Sequence, residues 1–185
     1  AKLAHQSPEE AMTNPAWHIQ AGQKAAHGGS PLSFAMLQNL AGAVNADRPE
    51  ILWGFIRRYA PGASPETMPF LDDLVRHAIV YYRERVLPTK HYRAPTAAER
   101  AALADLAGRL RALPPEAPAE TIQNTVFEVG RAHGFDDLRA WFGALYQVLL
   151  GQAEGPRFGG FVALYGIAET VALIEQALAR DPDGH

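Results

Sequence analysis

The chain has 185 residues, 48% hydrophobic and 20% charged, which suits one substantial domain with a real core and leaves little room for two. A formal charge of −3 announces no nucleic-acid binding across the whole surface, and no apolar run approaches the roughly 20 residues that a spanning helix needs. There is no cysteine, which removes disulfides and thiolate chemistry and fits a cytoplasmic protein.

Residues 1–30 are rich in Ala, Gln, His, Gly and Pro and carry no sustained period, so they read as a linker. The chain opens Ala1-Lys2-Leu3 with no initiator methionine, which suggests excision from something longer. "GQKAAHGGS" reads as a mobile loop and not a P-loop, because no Lys-Ser/Thr follows its glycines.

Residues 31–185 read as a single compact helical domain. "PLSFAMLQNLAGAVN" sets Leu32, Met36, Leu40 and Ala43 on one face, widened by Phe34, Leu37 and Val44, with Asn45 able to end the helix. "DRPEILWGFIRRY" is expected to open with an Asp47–Glu50 capping box and to bury Leu52, Phe55, Ile56 and Tyr59. Its C-terminal Arg57 and Arg58 suit the helix dipole. "FLDDLVRHAIVYYRERV" is a third helix, stopped by Pro88; Asp72-Asp73 near its start reads as capping.

A Thr96–Glu99 capping box opens "TAAERAALADLAGRLRAL", and "PPEAP" closes it. "AETIQNTVFEVGRAHG" and "DDLRAWFGALYQVLLG" follow, ended by Gly134 and Gly151. In "GPRFGGFVALYG", Gly159 and Gly160 fall within the apolar pattern of Phe158, Phe161, Val162 and Tyr165. Glycine inside a helix costs about 1 kcal/mol relative to alanine. The favoured reading is therefore a helix pressed against a neighbour and ending at Gly166, with Arg157 as its one candidate phosphate or base contact; a phosphate-binding turn is the alternative. "IAETVALIEQALAR" completes an all-α chain of seven to eight helices.

The search for catalytic groups is negative. No His-x-x-x-His spacing, Gly-x-Ser-x-Gly elbow or Ser/His/Asp set stands out, and no metal site is expected. Charge is uneven, however. From Arg57 to Arg93 seven basic residues face four acidic ones, a local balance of +3 that is either an electrostatic footprint or the solvated face of one helix. Unpaired RNA bases are recognised by aromatic and guanidinium planes together with polar groups. "LPTKHYRAP" brings Lys90, His91, Tyr92 and Arg93 into one loop; the alternative is a loop with Tyr92 folded onto the core. Arg57, Arg58, Arg83 and Arg85 are candidates for phosphates.

Several blocks together resemble one family. "SPLSFAMLQNLAGAVNA", "LWGFIRRYAPGASPE", "IQNTVFEVGR" and above all "LLGQAEGPRFGGFVALYG" look like the C-terminal region of class I lysyl-tRNA synthetases. "NPAWHIQAGQ" resembles the segment linking that family's catalytic domain to its helical region. Within it Gln20-Ala21-Gly22 stands where His-Gly-Gly is expected after "WHI".

The resemblance implies a helical cage that binds the tRNA anticodon, belonging to an enzyme that joins lysine to tRNA(Lys) through an aminoacyl-adenylate with ATP and Mg²⁺. The family's HIGH-type and KMSKS-type signatures lie in an upstream Rossmann domain, and neither occurs in this sequence. The chain is thus expected to hold no cofactor and to catalyse nothing alone. Its expected partners are tRNA(Lys) and the upstream catalytic domain of the same polypeptide, with no role for DNA or a membrane. A helical protein–protein interaction module is the alternative, distinguished by binding that ignores salt.

Overall fold

A computed structural model describes residues 32–180, which form eight α-helices and no strand, as the helical periods and end signals require. The linker over residues 1–30, including "NPAWHIQAGQ" and "GQKAAHGGS", lies outside the described residues. The chain divides into two compact units, Ala1–Tyr82 and Arg83–His185. No single described helix is long and apolar enough to cross a membrane.

In the first unit, α1 (Phe34–Val44) is capped by Ser33, whose Oγ accepts from Met36 N at 3.2 Å, and is ended by Asn45 in the left-handed region at φ 50°. It buries Met36, Leu37, Leu40 and Ala41 and packs on α3 (Pro69–Tyr81), which turns Leu71, Val75, Ala78 and Ile79 inward.

Helix α2 (Pro49–Tyr59) corrects the expected capping box. Its N-cap is Arg48, with no side-chain cap bond, and Asp47 sits outside the helix, 3.6 Å from Arg48 Nε. Proline at the first helical position has no N–H to cap and a fixed φ that starts the helix there, leaving Asp47 one residue too early. The buried face of α2 also includes Trp53, alongside Leu52 and Ile56, whereas Phe55 and Tyr59 are half-buried. Trp53 Nε1 donates to Asp72 Oδ1 at 2.8 Å, and Arg76 Nε donates to Asp72 Oδ2 at 2.8 Å. Asp72 lies in the first turn of α3, but its side-chain oxygens are spent on the indole and the guanidinium and not on capping.

In the second unit, a π-helical turn (Tyr82–Val86, begun by the last residue of the first unit) and a 3-10 turn (Leu87–Thr89) lead to an extended stretch and then α4 (Ala97–Ala112). The Thr96–Glu99 capping box forms in full: Thr96 Oγ1 accepts from Glu99 N at 3.3 Å, and Glu99 Oε2 accepts from Thr96 N at 2.9 Å. Helix α5 (Ala119–Ala132) is followed by Gly134 at φ 77°. Helix α6 (Leu138–Leu145) is capped by Asp137 and runs into a second π-helical turn, Tyr146–Leu150, that ends at Gly151. Helices α7 (Phe158–Tyr165) and α8 (Ile167–Leu178) complete the unit. Helix α7 packs on α5 and α8 packs on α4. Leu103, Leu106, Leu110, Ile122, Trp141, Phe158 and Phe161 are fully enclosed.

Gly159 marks a close approach of α7 to α5. A Cβ on Gly159 would collide with the Ala119 carbonyl oxygen and stand 2.8 Å from Gln123 Cβ. The Gly159 amide, left without a partner in its own first turn, donates instead to the buried Gln123 Oε1 at 2.6 Å. Packing is the reading that holds at Gly159.

Candidate nucleic-acid interface

The extended stretch after Pro88 holds the densest group of the expected contacts, and its path is set by backbone bonds. Lys90 N donates to Leu87 O at 3.4 Å, closing the 3-10 turn, and His91 N donates to Gly151 O at 2.9 Å, pinning the stretch to the end of the second π-helical turn. Gly151 serves that junction twice. Its φ of 67° is one that side chains rarely adopt, and a Cβ there would lie 2.9 Å from Lys90 Cγ and 3.3 Å from two ring carbons of Tyr92.

Tyr92 remains 38% exposed, so it is neither folded into the core nor free of the protein. Lys90 Nζ lies over its ring, 4.9 Å from the centroid, and Arg180 Cζ lies over it at 4.4 Å. Burial pushes the Tyr92 phenol above its ordinary value, with the Arg180 charge acting the other way. Arg180 also donates from Nη1 to Val148 O at 2.7 Å. Its own carbonyl accepts from Arg100 Nη2 at 2.7 Å, while Arg100 Nη1 reaches Leu178 O at 2.7 Å. One guanidinium thus holds the last carbonyls of α8 and fixes the backbone that carries the other, as cations do at helix C-termini.

Arg93, expected in the same role as Tyr92, is committed inside the protein. Nη1 and Nη2 contact the two carboxylate oxygens of Glu99 at 2.7 and 2.9 Å, Nε donates to Gln147 Oε1 at 2.7 Å, and Nη1 also reaches Ala94 O at 3.3 Å. Hydrogen bonds from Arg93 hold the Glu99 carboxyl below its usual range, against the opposite pull of desolvation. This forked pair fastens the stretch to α4 and to the π-helical turn at once.

The other expected contacts are spread out. Arg83 and Arg85 are exposed on the first π-helical turn and make no ion pair or side-chain hydrogen bond with a described residue. His91 is exposed beside Tyr92. Arg157 is exposed at the N-cap of α7, on a loop held by Tyr146, whose hydroxyl donates to Pro156 O at 2.5 Å and whose phenol burial pushes up to about 12. Arg57 and Arg58 belong to the first unit, exposed in the last turn of α2, with the Arg58 guanidinium 5.1 Å from the Phe55 ring centroid. The basic segment 57–93 therefore spans two units.

Sequence reasoning missed Arg180, which sits 88 positions after Tyr92 among ordinary helix-end residues. No local spacing could have signalled the contact. Among the described residues no group of three or more His, Cys, Asp or Glu side chains could hold a metal ion.

The second unit is thus an all-α module with a half-exposed tyrosine carrying two cations. No family model matches the chain. It is 47% identical over 178 residues to a protein named lysine–tRNA ligase from Roseobacter denitrificans, covering 96% of this chain and 33% of that protein. Proteins of the same name from Rickettsia bellii and Rickettsia felis are 42% and 40% identical over 167 residues, 90% of this chain and 32% of each. The chain spans about one third of the length of the curated relatives it matches. Over nine-tenths of its length or more it is homologous to the C-terminal part of lysine–tRNA ligases, and the resemblance read from its sequence holds at that level.

Proposed function

We propose that this chain is the tRNA-binding module of a class I lysine–tRNA ligase, engaging the anticodon region of tRNA(Lys). The observation that carries the reading is the similarity to lysine–tRNA ligases along nearly the whole chain. The exposed basic and aromatic side chains of the second unit support it. In this reading the lysine, ATP and Mg²⁺ sites belong to an upstream catalytic domain of the same cytoplasmic polypeptide, and this chain contributes affinity and tRNA choice.

The work divides by chemistry. Arg83, Arg85 and Arg157 in the second unit, and separately Arg57 and Arg58 in the first, are exposed and are the candidates for phosphates, which position an RNA without reading it. The Lys90–Tyr92 stretch is the candidate for bases, because unstacked bases are held by aromatic and guanidinium planes. Arg93 contributes by holding that stretch in place.

Filter binding of this chain to lysine-accepting tRNA and to an unrelated tRNA, at two salt concentrations, tests the reading. Binding should favour the lysine-accepting tRNA and weaken on the order of tenfold or more between about 50 and about 200 mM salt. Absence of binding to either tRNA contradicts it and favours a helical protein-interaction module.

A further inference from the structure

Tyr146 holds the loop over residues 151–157 at both of its ends. Its backbone carbonyl accepts from Gly151 N and, at 3.2 Å, from Gln152 N, where the second π-helical turn closes. Its hydroxyl donates to Pro156 O at 2.5 Å, one residue before Arg157. Between those points the ring lies against the loop backbone. A Cβ on Gly155 would stand 2.5 and 2.6 Å from two carbons of the Tyr146 ring. Gly155 does not adopt a positive φ, so the ring, and not the backbone conformation, excludes a side chain there. The Phe158 ring meets the Tyr146 ring edge on, with centroids 6.4 Å apart, which ties the same phenol to the first residue of α7. Arg157 O accepts from Phe161 N at 3.1 Å, so its backbone is fixed on the helix side as well. The Arg157 side chain is exposed, and the backbone that carries it sets its position.

We infer that Tyr146 is a positioning residue for RNA binding: through Gly155 and Pro156 it presents Arg157 to a phosphate of the bound strand. This rests on the tRNA-binding reading above and gives a part in it to a residue that acts through another. A loop already held in its bound shape loses less freedom on association, so a hydrogen bond inside the protein is read out as affinity for RNA. The same anchor reaches the Lys90–Tyr92 stretch, because Gly151, whose N–H Tyr146 accepts, in turn accepts from His91 N at 2.9 Å.

The test is filter binding of the chain to lysine-accepting tRNA across a salt series, with single and double variants. Arg157→Ala should weaken binding several-fold and lower the salt slope by about one phosphate. Tyr146→Phe keeps the ring on Gly155 and removes only the hydroxyl. It should reproduce most of that loss, slope included, which a change in stability alone would not do. Added to Arg157→Ala, it should cost nothing further. Added to Arg83→Ala, its loss should appear in full, because only residues that act together depart from additivity. Gly155→Ala leaves the hydroxyl and pushes the loop off the ring, so it should behave as Tyr146→Phe does and replaces that variant should it fail to fold. If Tyr146→Phe binds as wild type while Arg157→Ala does not, the positioning role is refuted. It is equally refuted if the loss from Tyr146→Phe multiplies with Arg157→Ala just as with Arg83→Ala. If Arg157→Ala binds as wild type, there is no contact to position, and the inference fails while the RNA-binding reading stands. If wild type binds no tRNA, that reading fails and the inference with it.

Discussion

Arg93 and Glu99 meet fork to fork, with guanidinium nitrogens 2.7 and 2.9 Å from the two carboxylate oxygens, while the same carboxylate completes the capping box of α4. Glu99 is 9% exposed and Arg93 is half-buried, so the carboxylate is withdrawn from solvent while the guanidinium keeps part of its hydration. The stretch that presents Lys90 and Tyr92 is therefore anchored on its C-terminal side by an ion pair and on its N-terminal side by the His91 N to Gly151 O bond.

Breaking that pair should cost stability in a pH-dependent way. The Glu99 carboxyl titrates below its ordinary value in the folded protein, so the stabilisation it supplies is fully present above about pH 5 and disappears as pH falls through the folded-state value. Glu99→Gln should be less stable than wild type by roughly 1–3 kcal/mol at neutral pH. Urea melts should show the gap narrowing as the pH falls below the ordinary carboxylate range. A gap that stays constant with pH would remove Arg93–Glu99 as its source.

A second prediction concerns Gly159. Alanine there must push against the Ala119 carbonyl and Gln123, so Gly159→Ala should destabilise the second unit by about 1–3 kcal/mol. An unchanged denaturation midpoint combined with weaker RNA binding would instead restore the phosphate-loop reading of "GPRFGGFVALYG".

Asp72 separates hydrogen bonding from charge in the first unit. Asp72→Asn keeps an oxygen for the Trp53 indole and gives up an ion pair with the exposed Arg76, so its cost should be only a few tenths of a kcal/mol. Asp72→Leu leaves the Trp53 N–H without its partner and should cost about 1–3 kcal/mol. Equal costs in thermal melts would mean that the indole bond contributes nothing.

Much of this architecture is written locally, and the failures are instructive because they are not. The Thr96–Glu99 box and the glycine ends at Gly134 and Gly151 were legible because each depends on residues a few positions apart. The Asp47–Glu50 box had the right spacing and did not form, because Pro49 set the helix start. Trp53 joins the buried face outside the expected stripe, and Asp72, 19 positions on, reads locally as a capping residue because nothing near it signals the indole it accepts from. The site divides the same way. Lys90, His91 and Tyr92 were recognisable as a basic and aromatic run, but the commitment of Arg93 depends on Gln147, 54 positions away, and the role of Arg180 on a still longer separation.

Phosphate contacts should be separable from base contacts. Arg83→Ala with Arg85→Ala should weaken binding to every tRNA alike and reduce the salt slope by up to about two phosphates, because contacts to the backbone carry no sequence information. Arg57→Ala with Arg58→Ala tests the first unit in the same manner. Filter binding with lysine-accepting and unrelated tRNAs reads both. Loss of discrimination without loss of slope would place these arginines on bases instead.

The central claim is that this chain selects tRNA through the anticodon region, and one competition measures it most directly. Labelled lysine-accepting tRNA bound to the chain is displaced by unlabelled copies of itself, or by the same tRNA with only its anticodon bases exchanged. The account predicts that the exchanged tRNA competes about tenfold or more less effectively, the scale of losing one or two base contacts. Equal competition by the two would contradict it.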